Sequence, residues 1–173
     1  MPRLTRLNLE LKARCADLAL ARRQVLQLDV RQGEVEVQSD TYFRVSHGRL
    51  KLREIDGQQA VLIAYDRPDG TEVRASHYHI VPVPDPAAML AALTAAMGVR
   101  GEVHKRREIF LYHNVRIHLD EVTGLGTFVE FEAVQAADAT PEQSREYLAE
   151  LCRVLAIGPA DYVARSYADL LGL

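Results

Sequence analysis

The chain has 173 residues, of which 48% are hydrophobic and 26% are charged, and its formal net charge at pH 7 is −3. This length suits one domain, residues 1–173, and the slightly negative charge argues against a nucleic-acid binder. No apolar run approaches the roughly 20 residues of a membrane-spanning helix, and residues 1–4 lack the apolar segment of a secretory signal. With only two isolated cysteines, Cys15 and Cys152, we expect a reduced cytoplasmic protein with no nucleic-acid or membrane partner.

The alternation of apolar and polar residues predicts nine short runs, which we count as roughly eight strands. The predicted strands occupy residues 4–14, 34–37, 41–46, 49–55, 59–66, 72–81, 101–108, 109–120 and 127–134. Turn signals such as Asp56-Gly57 and Asp69-Gly70 lie between some of these runs. They indicate antiparallel strands that are mostly joined as hairpins.

Three helices are predicted between and after these strands. The first covers residues 16–29, and the second begins at Asp85-Pro86 and ends at Gly98, where capping and turn residues mark both ends. The third follows Thr140, which begins a capping box, and a short segment over 166–171 closes the chain. The predicted apolar stripe of the third helix consists of Leu148, Leu151, Cys152 and Leu155. We also expect Tyr42, Phe43 and the alanine-rich second helix to lie in the core.

Charged residues recur at a spacing of two on at least five of the predicted strands. Because residues i and i+2 of a strand point to the same side, each of these strands has one charged face and one largely apolar face. The basic positions are Lys12, Lys51, Arg53, Arg67, Arg74, Lys105, Arg107 and Arg116. The acidic positions are Glu10, Asp120, Glu130 and Glu132.

This mixture of charges suits a polyphosphate that is held together with divalent metal ions. Guanidinium and ammonium groups bind phosphate oxygens, while carboxylates are the ligands that Mg²⁺ or Mn²⁺ prefers. The alternative is a solvated sheet surface on which the acidic and basic residues pair with one another, and spacing alone does not separate the two. Asp120 could hold a metal, orient an arginine or act as a general base. The six histidines lack zinc-site spacing, so we expect each to be structural or exposed.

Two architectures are compatible with the pattern, because helices must cover the apolar face of a sheet. In the first, the sheet is open and its charged face lies in water. In the second, the sheet closes with the helices outside, and the charged faces line a barrel. The pattern alone slightly favours the open sheet.

Several segments resemble the motifs of the CYTH superfamily, also called triphosphate tunnel enzymes, and most closely its class IV adenylyl cyclase branch. The matching segments, in chain order, are Asn8-Leu9-Glu10-Leu11-Lys12-Ala13-Arg14, Asp40-Thr41-Tyr42-Phe43, Leu50-Lys51-Leu52-Arg53-Glu54, Lys105-x-Arg107, Val115-Arg116-Ile117-His118-Leu119-Asp120, Gly124-Leu125-Gly126-x-Phe128-Val129-Glu130-Phe131-Glu132 and Ser166-Tyr167-x-Asp169-Leu170-Leu171-Gly172. The resemblance therefore covers nearly the whole chain.

The resemblance implies an α+β fold, an eight-stranded antiparallel β-tunnel with helices packed outside, which reverses the preference for an open sheet. It implies that Glu10, Glu130 and Glu132 bind Mg²⁺ or Mn²⁺ and that Asp120 and Lys12 take part in catalysis. The basic positions given above would hold a nucleoside, organic or inorganic triphosphate. The implied reaction is the conversion of ATP to cyclic AMP and pyrophosphate. A triphosphatase and a non-catalytic triphosphate binder are the alternatives, and a homodimer is left open.

Two departures from the family pattern bear on activity. Asn8 stands where the family's first glutamate is found, so one carboxylate is replaced by an uncharged amide. Tyr65 lies near a position where the family often has lysine, and Arg67, two residues on, is a candidate substitute. We expect these two changes to alter metal binding or catalysis.

Overall fold

The computed structural model describes residues 6–66, 73–135 and 139–173, which form a closed antiparallel barrel of eight strands. The strands are β1 Arg6–Arg14, β2 Arg31–Phe43, β3 Arg49–Ile55, β4 Gln59–Asp66, β5 Arg74–Pro82, β6 Val99–Tyr112, β7 Val115–Val122 and β8 Gly126–Val134. Their order around the barrel is β1-β5-β4-β3-β2-β6-β7-β8. The closed tunnel implied by the family resemblance is confirmed, and the open sheet favoured by the pattern alone is wrong.

Two strands are longer than predicted. Residues 34–37 and 41–46 were expected to be separate strands, but β2 runs through the polar residues between them because Gln38 and Asp40 are buried. Similarly, β6 continues past residue 108, and the turn lies at His113-Asn114, where His113 has a positive φ of 51°. In β2, therefore, the polar run at residues 38–40 belongs to a strand of the barrel and is not a loop.

Four α-helices and a short 3₁₀ turn accompany the described strands. They are α1 Leu18–Val25, α2 Pro86–Met97, α3 Pro141–Val154, α4 Tyr167–Leu170 and the 3₁₀ turn Pro159–Asp161. Within the described ranges, no helix is long and apolar enough to cross a membrane. Both α1 and α3 pack on the outer, apolar face of the barrel, where Leu148 and Leu151 of the predicted stripe are buried against the strands. Each buried leucine contributes about 1.5–3 kcal/mol to this packing.

The alanine-rich helix α2 lies at the surface, so its assignment to the core is wrong. None of its residues is fully buried, although Met89, Leu90 and Leu93 pack against the apolar cluster that contains Phe43 of β2 and Leu52 of β3. Alanine is the best helix former but has little side chain to bury, so an alanine-rich composition does not require a core position. By contrast, Tyr42 and Phe43 are buried, as expected.

Helix α4 packs across one end of the barrel. Tyr167 and Ala168 form an apolar cluster with Val103, Val122 and Phe128, which lie on β6, β7 and β8. Ser166 caps the helix through a reciprocal capping box with Asp169, and Asp169 also accepts hydrogen bonds from Arg49 and Arg100. The C-terminal segment is thereby anchored at this end of the barrel.

Candidate active site

The barrel encloses a cavity of about 460 Å³, and its wall is charged because the charged faces of several strands point inward. The predicted site residues that line the cavity are Glu10, Lys12, Lys51, Arg53, Lys105, Arg107, Arg116, Glu130 and Glu132. Side chains alternate between the inside and outside of a barrel, so charges spaced by two on neighbouring strands converge in its interior. Arg67 lies outside the described residues. Arg74 is placed on β5 opposite Glu10, but its side chain is not described.

Three of the cations converge on one buried carboxylate, that of Asp40. Lys51 donates a hydrogen bond to it at 2.8 Å and Lys105 at 3.0 Å. Arg53 donates through Nε at 2.6 Å and through Nη2 at 2.7 Å, a bidentate contact. Asp40 is only 1% exposed. This side chain therefore fixes the positions of three cations that line the cavity.

The electrostatics of this group depend on burial. Burial alone would raise the pKa of Asp40, but Arg53, Lys105 and Lys51 together hold it well below its usual range. Burial, followed by repulsion from Arg53, lowers the pKa of Lys51 to about 8, and the same two causes lower the pKa of Lys105. One carboxylate cannot neutralise three cations. The part of the wall around Asp40 therefore has an excess of basic groups, and a bound anion would stabilise their charged forms.

A second network connects β6, β7, β8 and α4. Arg107 donates to both oxygens of Asp120, at 2.7 and 2.6 Å, and to Glu130 Oε2 at 2.7 Å. The Tyr167 hydroxyl donates to Asp120 Oδ2 at 2.7 Å. Asp120 is fully buried and is not part of the cavity lining. Of its three candidate roles, this geometry favours the orientation of an arginine.

The carboxylates that were predicted to bind metal share one side of the cavity. Glu10 on β1 lies directly opposite Glu132 on β8, and Glu130 lies opposite Lys12. Within the described ranges, no three acidic, histidine or cysteine side chains are close enough together to form a ready-made metal cage. Mg²⁺ commonly takes one or two carboxylates and completes its shell with water and substrate phosphates. The donor set therefore fits a metal ion that binds together with a phosphate ligand.

Asn8 and Tyr65, the two departures from the family pattern, both have defined positions. Asn8 is completely buried. Its amide donates a hydrogen bond to Glu132 Oε1, and its carbonyl oxygen accepts one of 3.4 Å from Tyr78. In this position Asn8 orients the Glu132 carboxylate. Tyr65 lines the cavity with its ring centroid 5.7 Å from the Lys51 ammonium nitrogen.

Sequence reasoning did not assign site roles to Asp40, Tyr167 and His118. The Lys12 ammonium nitrogen lies 3.8 Å from the centroid of the Tyr167 ring, a cation–π contact. His118 is buried and lines the cavity, so the expectation of a purely structural or exposed histidine is too narrow. Burial, and then Arg107, lowers its pKa to about 3, which keeps the imidazole neutral. The two-residue spacing from Arg116 could have identified His118, whereas the contacts of Asp40 and Tyr167 depend on pairing between distant segments.

Comparison with known proteins extends over nearly the whole chain. The sequence model described as CYTH domain matches residues 6–167. A Methanocaldococcus jannaschii protein with the name "Putative adenylate cyclase" is 22% identical over 96% of this chain and 99% of its own length. A solved structure of the PH1012 protein from Pyrococcus horikoshii has a TM-score of 0.84 at 24% identity, covering 94% of this chain and 98% of that one. A Vibrio parahaemolyticus structure, also described as a putative adenylate cyclase, has a TM-score of 0.80 at 23% identity and covers 96% and 98% of the two chains.

Proposed function

Because the chain belongs to the CYTH domain family, we propose that its cavity binds a triphosphate and a divalent metal ion and catalyses a reaction of that triphosphate. The observation that carries this proposal is the convergence of Lys51, Arg53 and Lys105 on Asp40 at the cavity wall. On a solvated sheet surface, these cations would be hydrated and paired singly. Their burial around one carboxylate supports a polyanionic ligand.

Six phosphate-binding residues of this proposal line the cavity, and they are Lys12, Lys51, Arg53, Lys105, Arg107 and Arg116. Arg67 and Arg74 remain predicted phosphate-binding residues from the sequence. Asp120 acts indirectly, because it fixes the guanidinium of Arg107 and receives the Tyr167 hydroxyl hydrogen bond. Lys12, held over the Tyr167 ring, faces the same space as these cations. Such contacts position the phosphates and neutralise the charge that develops during their transfer.

Enzymes of the superfamily are metal-dependent, and we propose Mg²⁺ or Mn²⁺ bound by Glu10 and Glu132, with Glu130 as a further carboxylate. When bound, the metal would act as a Lewis acid on the phosphate oxygens.

Replacing Glu132 by Gln removes one negative charge from the pair of Glu10 and Glu132, so a higher metal concentration should be needed for the same activity. A metal titration of the variant measures this shift.

The reaction that we propose first is that of a class IV adenylyl cyclase. The ribose 3′-hydroxyl of ATP loses its proton to solvent as its oxygen attacks the α-phosphorus, the bond from that phosphorus to the bridging oxygen breaks, and pyrophosphate leaves. The names of the relatives given above support this branch. The same phosphate contacts would also serve a triphosphatase, in which water attacks the terminal phosphorus of tripolyphosphate or an organic triphosphate. Asn8, which replaces a charged ligand, favours a third candidate, a triphosphate binder without turnover.

Product analysis separates these three candidates. The protein is incubated with ATP and, separately, with tripolyphosphate, in Mg²⁺ or Mn²⁺, and all products are resolved. Cyclic AMP with pyrophosphate supports the cyclase, and orthophosphate supports the triphosphatase. A rise in melting temperature with either ligand but without products supports the binder. If neither product nor stabilisation is seen, the proposal is wrong.

Adjacent residues on β6 provide a matched pair of variants for this assay. Lys105 is buried at the cavity wall, whereas its neighbour Arg106 is exposed on the outer face. We expect Lys105→Gln to weaken triphosphate binding by about 1.5–3 kcal/mol, the contribution of a charged hydrogen bond. Arg106→Gln should bind as the unmodified protein does. Equal affinity in both variants would mean that Lys105 does not contact the ligand.

A further inference from the structure

A second pocket lies at the α4 end of the barrel, next to the main cavity. Its volume is about 210 Å³, less than half that of the main cavity, and three arginines line it, Arg44, Arg49 and Arg100. None of these three lines the main cavity. Tyr42 lines both spaces, so this buried side chain lies between them. We call the smaller space the arginine pocket.

Three separate elements bring these arginines together. Arg44 directly follows β2, and Arg49 is the first residue of β3. The register between β2 and β6 skips Arg100, which makes Arg100 the extra residue of a β-bulge. Bulges redirect side chains and are frequent beside active sites. The strand therefore departs from regular pairing at the residue that completes the arginine pocket.

Two of the arginines are held in place by the C-terminal segment. Asp169 of α4 accepts a hydrogen bond of 3.3 Å from Arg49 and one of 2.7 Å from Arg100. The Leu173 carbonyl oxygen accepts a further hydrogen bond of 2.8 Å from Arg100 Nε. The side chains of Arg49 and Arg100 are only 16% and 31% exposed. Because these two guanidinium groups are already fixed, an ion would bind them at a lower cost in entropy.

The pocket has more hydrogen-bond donors than these contacts use. A guanidinium group has five N–H groups on three nitrogen atoms. Among the described residues, the contacts of Arg100 involve Nε and Nη2 and leave its Nη1 for another acceptor. The exposed Arg44 adds a third guanidinium group to the lining. Since the planar guanidinium matches pairs of phosphate oxygens, a cluster of three suits a phosphate ion.

The carboxylates of the chain itself limit which anions can bind here. Asp169 already contacts two of the arginines, and Asp66 lies beside Gly48 of the lining. A ligand with a single carboxylate would bring no more charge than either of these groups. A phosphate group carries about −1.5 to −2 charges at pH 7 and has more acceptor oxygens. Together with the small volume, this favours a compact phosphate ion.

We propose that the arginine pocket is a second anion site, which binds inorganic phosphate or pyrophosphate outside the main cavity. The ion would receive hydrogen bonds from Arg44, Arg49 and Arg100, and it would compete with Asp169 for the last two. This site does not depend on the reaction that is proposed for the main cavity.

The Nε–H signals of arginine in proton–nitrogen NMR spectra test the site directly, because each arginine gives its own signal. Inorganic phosphate and, separately, pyrophosphate are titrated into the metal-free protein, and the lower dissociation constant identifies the preferred ion. We expect the signals of Arg49 and Arg100 to shift together and to saturate. Arg44→Gln should weaken this binding about fivefold or more, because a charged hydrogen bond is lost at a partly solvated site. Arg106→Gln, which removes an exposed arginine elsewhere on β6, should leave it unchanged.

Asp169→Asn keeps the size of the side chain and removes the charge that competes with the ion. Phosphate should bind to this variant about threefold more tightly, a gain that unfolding could not produce. Lys105→Gln, which alters the main cavity, should leave binding at the arginine pocket as it is. An equal loss in Lys105→Gln and Arg44→Gln would place the ion in the main cavity, and shifts that do not saturate would indicate non-specific binding. Either result, or no gain in folded Asp169→Asn, would show that the proposal is wrong.

Discussion

At the scale of single residues, Asp40 determines how the cations of the cavity are arranged. Its carboxylate accepts hydrogen bonds from Lys51, Arg53 and Lys105. In Asp40→Asn, the three cations would repel one another without compensation. Removing one partner from a buried ion pair typically costs about 3–5 kcal/mol, and we expect a loss of this size in the free energy of unfolding, measured by denaturant titration without ligand.

Addition of tripolyphosphate should restore part of this stability, because the polyanion supplies the charge that Asp40 no longer provides. Glu102→Gln is a suitable control, because the Glu102 side chain on β6 is 52% exposed and faces solvent. We expect it to change stability little. A ligand-free Asp40→Asn protein as stable as the unmodified one would contradict the assigned role.

Lys51 should make ligand binding depend on pH. Its pKa in the free protein is about 8, lowered mainly by burial and then by Arg53. A bound polyanion favours the ammonium form and raises this pKa, so binding takes up protons above pH 8. We therefore expect the affinity for tripolyphosphate to fall as the pH rises above about 8. Calorimetry in buffers with different ionisation enthalpies measures the uptake directly.

Lys51→Arg is the matched variant for this prediction, since arginine stays charged throughout the range. The uptake should decrease in this variant, with Lys105 as the remaining contributor. Proton uptake of unchanged size in Lys51→Arg would show that another group is responsible.

At the scale of secondary-structure elements, α4 connects the end of the barrel to the site. Its first residue, Tyr167, packs edge-on against Phe128 and donates to Asp120 Oδ2. Tyr167→Phe keeps the ring and removes only the hydroxyl. We expect the free energy of unfolding to fall by about 1–3 kcal/mol, since a buried carboxylate oxygen loses a donor. Turnover should fall as well, because Asp120 holds Arg107 less firmly.

Tyr162→Phe is the control for this substitution. Its hydroxyl contacts Cys152 Sγ at 3.9 Å and lies away from the cavity lining. Denaturant titration and steady-state kinetics compare the two variants. Equal kinetics in both would limit Tyr167 to a packing role.

The elements also indicate how far sequence reasoning reaches. Strands β3 and β4 have the predicted bounds, because strict alternation and the Asp56-Gly57 turn define them. The break predicted in β2 was wrong because Gln38 and Asp40 are buried polar residues, and the Asp40 carboxylate is paired with cations such as Lys105. Likewise, the two-residue spacing placed the charges on one face but could not show that Lys105, 65 positions after Asp40, would contact it. Alternation is the same in open and closed sheets, so closure required the family resemblance.

At the scale of the whole molecule, the net charge conceals the character of the site. The chain has a formal charge of −3, yet the cavity gathers six basic side chains from β1, β3, β6 and β7, beside four glutamates. Barrel closure produces this separation, because every strand directs one face inward. Composition alone therefore could not reveal that six cations converge in one cavity.

The packing of α4 across one end of the barrel has a kinetic consequence. The exposed fraction of the basic side chains decreases from 38% for Arg116 to 1% for Lys105, which lies on the α4 side. A product held among the deep cations would have to pass the position of any product near the mouth, so the outer product should be released first. For the proposed cyclase, pyrophosphate would leave last and inhibit competitively against ATP, while cyclic AMP would inhibit noncompetitively. Initial-rate measurements with each added product would reveal this order, and the reverse pattern would point to an exit on the α4 side.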